Sequence, residues 1–377
     1  MLLNNHLQTT EKVWALHVEG GWGNNDAFVA AFKDALGSRF SAIAGWDYMD
    51  DIWVQDEFEF GTSTAAEQRL DVIVDSIRDR GLDDFPEKEF GGPDGFVHTW
   101  GNGWANSQDS FGNLEVTPPI TVDGVEYPFG RIYYGVAKNS PPSGKLTSFL
   151  DSQRLQAPVE LPVDWLCVGH VDEFMTFIPD SSSDKGFRFL YSDTDLAWDI
   201  LESLDPETKL PKYKGQWSGH GYRTVGEIVD DAPLRTYNDD LQLDDLNPTL
   251  ETIKAEFGLV DEDIIFIPSV FEAGMQCGQY AASLIPGAIN LTVATDESGS
   301  TVLFVADPFM RSDVDDQSSD PFISDFKARM PGDLKLVFVD DWDVYHLGMG
   351  EVHCGTNSMR QPVGSWWEQG RHLLEAE

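Results

Sequence analysis

Val13-Trp14-Ala15-Leu16-His17-Val18, followed by Asn25-Asp26-Ala27-Phe28-Val29-Ala30-Ala31-Phe32-Lys33-Asp34-Ala35-Leu36-Gly37, decides how the chain is read. The first run is short and apolar, as a strand is. The second places Phe28, Ala31, Phe32, Ala35 and Leu36 on one helical face and stops at a glycine. Outward from this strand-then-helix unit, strand patterns recur at 130–136, 186–192, 301–305 and 334–339, and helical patterns at 146–155 and 248–257. The last helix carries punctuation: Asn247 is expected as N-cap, Pro248 at the first helical position and Gly258 as the stop. Strands and helices alternate from end to end with no low-complexity linker, which predicts one α/β body, a single domain over 1–377. No strict sequence repeat is visible.

The composition, 41% hydrophobic with 12 Trp and 23 Phe, is that of a folded protein, and no apolar run is long enough to span a membrane. The first dozen residues lack a continuous apolar stretch, so no secretory signal is expected and the protein reads as cytoplasmic. Three cysteines spread over the chain, Cys167, Cys277 and Cys354, make no disulfide framework and no zinc spacing, and the thiols are expected to be reduced. A formal charge of -40, from 65 acids against 25 bases, excludes nucleic acid and anionic membranes as partners and favours cations: metal ions, or basic protein chains.

Two acidic segments stand out. In Asp50 to Glu59, read as a strand, alternation places Gln55, Glu57 and Glu59 on one face and Asp56 on the other. Acids interleaved with Trp53, Phe58 and Phe60 are not fully exposed, and they need a cationic partner. The second segment offers Asp75, Ser76 and Asp79 in one loop, and Ser110 to Glu115 adds a carboxylate next to a bend where backbone carbonyls can turn inward. No contiguous calcium-binding loop is present, so a hard-cation site would be assembled from separate segments.

Near the end, Glu351-Val352-His353-Cys354-Gly355-Thr356-Asn357 sets a lone cysteine beside a glycine that permits a tight turn, a setting for a thiolate nucleophile at a pocket rim. Such a thiolate needs a positive neighbour or a base, and His170 or His353 could serve. The plain alternative is a small buried apolar residue. In Asp164-Trp165-Leu166-Cys167-Val168-Gly169-His170-Val171-Asp172-Glu173-Phe174, an extended backbone points His170 and Asp172 to the same side.

Together, Trp53-Val-Gln-Asp-Glu, Asp109-Ser-Phe-Gly-Asn-Leu-Glu-Val, Gln156-Ala-Pro-Val-Glu-Leu, Val168-Gly-His-Val-Asp-Glu-Phe and Gly350-Glu-Val-His-Cys-Gly-Thr-Asn resemble the catalytic domain of the protein-arginine deiminases. The resemblance runs from about Val13 to Trp367. It implies a five-bladed α/β propeller of the guanidino-modifying (pentein) type, built of ββαβ-like modules. It also implies calcium-dependent hydrolysis of peptidyl-arginine to peptidyl-citrulline through a thiouronium on Cys354. By the same resemblance Asp56 and Asp172 would hold the guanidinium, and His170 would act as acid and then base. Trp53 would wall the aliphatic stem, Val168 would give backbone contacts and Arg80 would read the substrate backbone. One calcium site would use Gln55, Glu59, Glu115 and the carbonyls of Phe111 and Leu114. A second would use Glu57, Asp75, Ser76 and Asp79, with aspartate at 79 in place of the family's asparagine. Gly348 stands where the family has a second substrate-facing arginine, and the family's amino-terminal immunoglobulin-like domains have no counterpart in 1–377. The alternative within the superfamily is a calcium-independent deiminase of free arginine or agmatine; a non-catalytic calcium-binding module is the alternative outside it.

Overall fold

The computed structural model describes residues 1–20, 23–65, 68–101, 104–214, 221–273 and 277–375. Its expected opening unit is there: strand Thr10–His17 leads to helix Asp26–Leu36, which buries Phe28, Phe32 and Leu36 and ends at Gly37 with φ 57°. Phe32 stacks on Phe304 with ring centroids 3.8 Å apart, so this helix also joins the strand Thr301–Ala306 from far along the chain. Each such fully buried aromatic is worth about 1.5–3 kcal/mol relative to exposure.

Among the described residues, five sheets share one pairing pattern: a central strand antiparallel to one neighbour and parallel to the other. Gln68–Asp75 pairs with Phe58–Ala65 and Gly95–Thr99, Ile132–Val136 with Leu114–Val116 and Val159–Pro162. Phe187–Asp193 pairs with Met175–Pro179 and Ile264–Pro268, Thr301–Ala306 with Thr292–Thr295 and Lys335–Val339. In the fifth sheet Thr10–His17 pairs antiparallel with Thr356–Arg360, near the other end of the chain, and parallel with Phe40–Ala44. Helices lie between each central strand and its parallel partner, because a parallel pair needs a crossover. A structural repeat is therefore present where the sequence shows none. No helix of the described residues is long and apolar enough to cross a membrane.

Three local expectations need correction. The acidic segment is not a strand throughout: Val54–Glu57 forms one helical turn, and only from Phe58 does the backbone extend. Asn247 does not cap: it has helical angles (φ -62°, ψ -46°), because helix Ala232–Leu241 continues through a π-helical turn, Gln242–Leu246, directly into Asn247–Phe257. Gly258 does stop that helix, at φ 64°. Finally, Cys167 and Cys277 form a disulfide with Cα atoms 5.4 Å apart, which leaves Cys354 as the free thiol. Their 110-residue separation gave composition no means of finding the pair.

Candidate active site

Cys354 sits in the turn that enters strand Thr356–Arg360 and is buried. Asn290 fixes it from the bend before strand Thr292–Thr295: its Oδ1 accepts from the backbone N–H groups of His353 (2.9 Å) and Cys354 (3.1 Å), and its Nδ2 lies 3.2 Å from the sulfur. Asp172, in the short helical turn Val171–Glu173, brings Oδ2 to 3.6 Å from the sulfur and accepts from His353 Nδ1 at 2.8 Å. Its Oδ1 is buried without a hydrogen-bond partner. Burial, reinforced by Asp172 and then Asp56, pushes the Cys354 thiol well above its ordinary pKa.

His170 is buried, with Nε2 2.8 Å from the carbonyl oxygen of Ser107; a carbonyl only accepts, so Nε2 carries the proton. Nδ1 has no hydrogen-bond partner and faces Asp56 Oδ1 at 3.7 Å. The meeting point is Gly112. A Cβ there would stand 2.6 Å from His170 Nδ1 and 3.2 Å from both Asp172 Oδ2 and Asp56 Oδ1. Only a residue without a side chain lets these three groups converge.

Asp56 and His170 line a cleft of about 540 Å³ together with Trp53, Arg80, Val168, Gly348 and Cys354 among others. Trp53 packs edge-on against Gly348 and Gly350; a Cβ at Gly350 would fall 2.4 Å from the indole and 3.3 Å from Cys354 Cβ, so ring and thiol are close neighbours. Arg80 is exposed on the cleft wall. The carbonyl of Val168 accepts from Ser107 Oγ at 2.6 Å.

The acidic constellations adjoin this cleft, which Asp79 itself lines. Gln55 Nε2 donates to Glu59 Oε2 (2.9 Å) and to the Phe111 carbonyl (3.3 Å), which also accepts from the N–H of Leu114. Burial, with Glu115 nearby, pushes Glu59 up to about 8. In the other group Glu57, Asp75 and Ser76 are buried, while Asp79 is exposed at the cleft. Burial pushes Glu57 up to about 8, although Arg78 touches it at 2.8 Å, and Asp75 up to about 7, although Thr99 donates to it. One guanidinium is not enough there, because Arg78 is shared with Asp51 at 2.8 Å and Asp56 at 4.0 Å. Glu57 Oε1, Asp75 Oδ1 and Glu115 Oε1 are buried with no hydrogen-bond partner. Hard oxygen donors left open in this way fit a calcium-class cation.

Sequence reasoning missed Asn290, Arg78, Ser107 and the packing role of Gly112. Asn290 acts on a residue 64 positions away and carries no local motif. Arg78, by contrast, was findable as the cation embedded between Asp75 and Asp79.

A thiol, an imidazole and two carboxylates gathered at one cleft are a set of groups suited to holding a small planar cation beside a nucleophile. The family model described as protein-arginine deiminase (PAD) matches residues 1–368, and the chain belongs to that family. It is 33% identical to human protein-arginine deiminase type-1 over 97% of this chain and 55% of that protein. To the rat (Rattus norvegicus) type-4 protein it is 36% identical over 92% of this chain and 53% of that one. The chain thus spans about half the length of these relatives. A solved structure of agmatine deiminase from C. jejuni superposes with TM-score 0.52 at 10% identity, covering 97% of this chain and 98% of that one, which shows a shared mixed α/β deiminase fold.

Proposed function

We propose that the chain hydrolyses peptidyl-arginine to peptidyl-citrulline and ammonia. The observation that carries this reading is the convergence beside Gly112 of His170 Nδ1, Asp172 Oδ2 and Asp56 Oδ1, with the Cys354 sulfur 3.6 Å from Asp172. A guanidinium entering there gives N–H donors to both carboxylates and lies with its central carbon over the thiol. Its positive charge also offsets the burial and the two acids that hold Cys354 protonated, so substrate arrival favours the thiolate. The thiol proton passes to His170, whose Nδ1 is open, and the thiolate attacks the central carbon. His170, as imidazolium, protonates the departing nitrogen, and ammonia leaves a thiouronium on Cys354. Neutral His170 then takes a proton from water as it adds to the same carbon, the sulfur departs, and the ureido product is citrulline.

Trp53, beside Cys354 in the cleft, would wall the aliphatic stem, and Val168 would offer its carbonyl to the substrate. Arg80 would donate to the carbonyls flanking the target residue. Gly348 leaves that task largely to Arg80 and widens the mouth. Calcium would be held by Gln55, Glu59, Glu115 and the carbonyls of Phe111 and Leu114, and by Glu57, Asp75, Ser76 and Asp79. When bound it supplies the positive charge that these acids lack. We also place the five sheets around a pseudo-fivefold axis as a single pentein propeller; the common pairing pattern and the pairing of Thr10–His17 with Thr356–Arg360 support this closure.

The test is citrulline release from an acyl-arginine amide and from free arginine, each with calcium and with chelator. Calcium-dependent turnover of the amide alone is expected. Calcium-independent turnover of free arginine or agmatine would overturn the substrate assignment.

A further inference from the structure

Next to Cys354 in sequence, His353 belongs to a cluster with His6 and Glu115 that the proposed attack on the guanidinium does not use as a set. His6 Nε2 is 3.1 Å from Glu115 Oε2, and His353 Nε2 is 3.5 Å from Glu115 Oε1. One ligand atom from each of these three side chains lies within 4.8 Å of the others. The two imidazoles are also held from outside: His353 Nδ1 bonds to the Asp172 carboxylate at 2.8 Å, and His6 Nδ1 to Thr176 Oγ1 at 3.1 Å. Fixing one ring nitrogen with an outer partner so that the other is presented inward is how protein metal sites orient histidine, the carboxylate–histidine pair above all. Glu115 Oε1, on a side chain 7% exposed, has no hydrogen-bond partner and faces this space.

We propose that His6 Nε2, His353 Nε2 and the Glu115 carboxylate bind a borderline transition-metal dication of the zinc class, with solvent as a fourth ligand. Two imidazoles and one carboxylate are the donors that such an ion selects, whereas calcium selects oxygen alone. Ligand atoms around tetrahedral zinc, at about 2.0–2.2 Å from the metal, stand roughly 3.4 Å apart. The two observed separations, 3.1 Å to Glu115 Oε2 and 3.5 Å to Glu115 Oε1, bracket that distance, and with one atom taken from each side chain all three lie within 4.8 Å, so an inward movement closes the set. Coordination requires the Nε2 lone pairs, so any proton carried on either Nε2 is released on binding. The site would join the amino-terminal segment, Glu115 and the Cys354 loop. Because Glu115 is also one of the carboxylates assigned to calcium above, the two ions would compete. Arg360 is the nearby cation that opposes loading; it is engaged with the carbonyls of His6, Gln8 and Val293.

Binding is measured directly, so its failure is separate from failure of the deimination reading. Chelator-treated Cys354→Ser protein, which lacks the free thiol as a competing ligand, is titrated with zinc alone by calorimetry and with cobalt(II) by visible absorption. One site with four-coordinate cobalt bands is expected, and His6→Asn should weaken it at least tenfold. X-ray absorption at the zinc edge on the protein without the His6 change provides a test that does not depend on that variant folding: two imidazoles and oxygen are expected. Absence of binding up to millimolar zinc, affinity unchanged in His6→Asn, or fewer than two imidazoles on the metal would each overturn the proposal.

Discussion

In the proposed function the substrate contacts are divided between carboxylates that would hold charge and an arginine that would read the peptide. Asp172 is the sharper test of the first. Its Oδ1 is buried and open while Oδ2 is held by His353. Asp172→Asn removes a charged acceptor, and kcat/KM should fall by several kcal/mol, since a buried group that loses its charged partner costs ~1–3 kcal/mol or more. An unchanged kcat/KM would reduce Asp172 to a structural partner of His353. Arg80, exposed on the cleft wall, should matter only for substrates with flanking carbonyls. Arg80→Ala should cost ~1.5–3 kcal/mol in kcat/KM on acyl-arginine amides, the worth of a charge-assisted hydrogen bond, and little on free arginine. If the ratio of the two constants stays as in wild type, Arg80 supports structure instead.

The turn Phe111–Asn113 is the element on which the site closes. Gly112→Ala inserts a methyl 2.6 Å from His170 Nδ1, and since two carboxylates also crowd that methyl, the three groups must separate. We expect kcat/KM to fall at least tenfold with a melting temperature close to wild type; a variant of near-normal activity would show that the site tolerates a wider spacing. The sequence made part of this legible. Asp56, His170, Asp172 and Cys354 stand out because each sits in a block long enough to resemble a family, and the structure brings them together; helix Asp26–Leu36 is legible because its apolar period matches a single buried face. What stayed hidden depends on contacts between distant segments. The helical turn Val54–Glu57 defeats alternation because four residues are too few to show a period. Asn247 looked like a cap because nothing local reveals that a π turn precedes it. The five-sheet repeat shows only in the strand pairings, and the Cys167–Cys277 bond only in space.

At the scale of the molecule, the unbalanced acids should govern stability. Glu57 and Glu59, pushed up to about 8, and Asp75, pushed up to about 7, bind protons in the folded cation-free protein that an unfolded carboxylate near pKa ~4 releases. Between about pH 5 and 8 the native state therefore holds more protons, and stability falls as pH rises. In chelator, the melting temperature should drop from pH 6 to pH 8. Calcium, bound to the deprotonated oxygens, should raise it, and by more at the higher pH. A flat profile in chelator, or no effect of calcium, would make the two constellations ordinary buried acids. The central claim is that Cys354 attacks the guanidinium carbon. The most direct measurement is citrulline formation from an acyl-arginine amide in saturating calcium by wild type and by Cys354→Ser, with melting curves of both. We predict turnover by the wild type, none detectable by the serine variant, and matching melting temperatures, because a hydroxyl at neutral pH cannot supply the anion that a thiol can. Activity of the serine variant within about tenfold of wild type would contradict the assignment of the nucleophile and, with it, the mechanism built on this cleft.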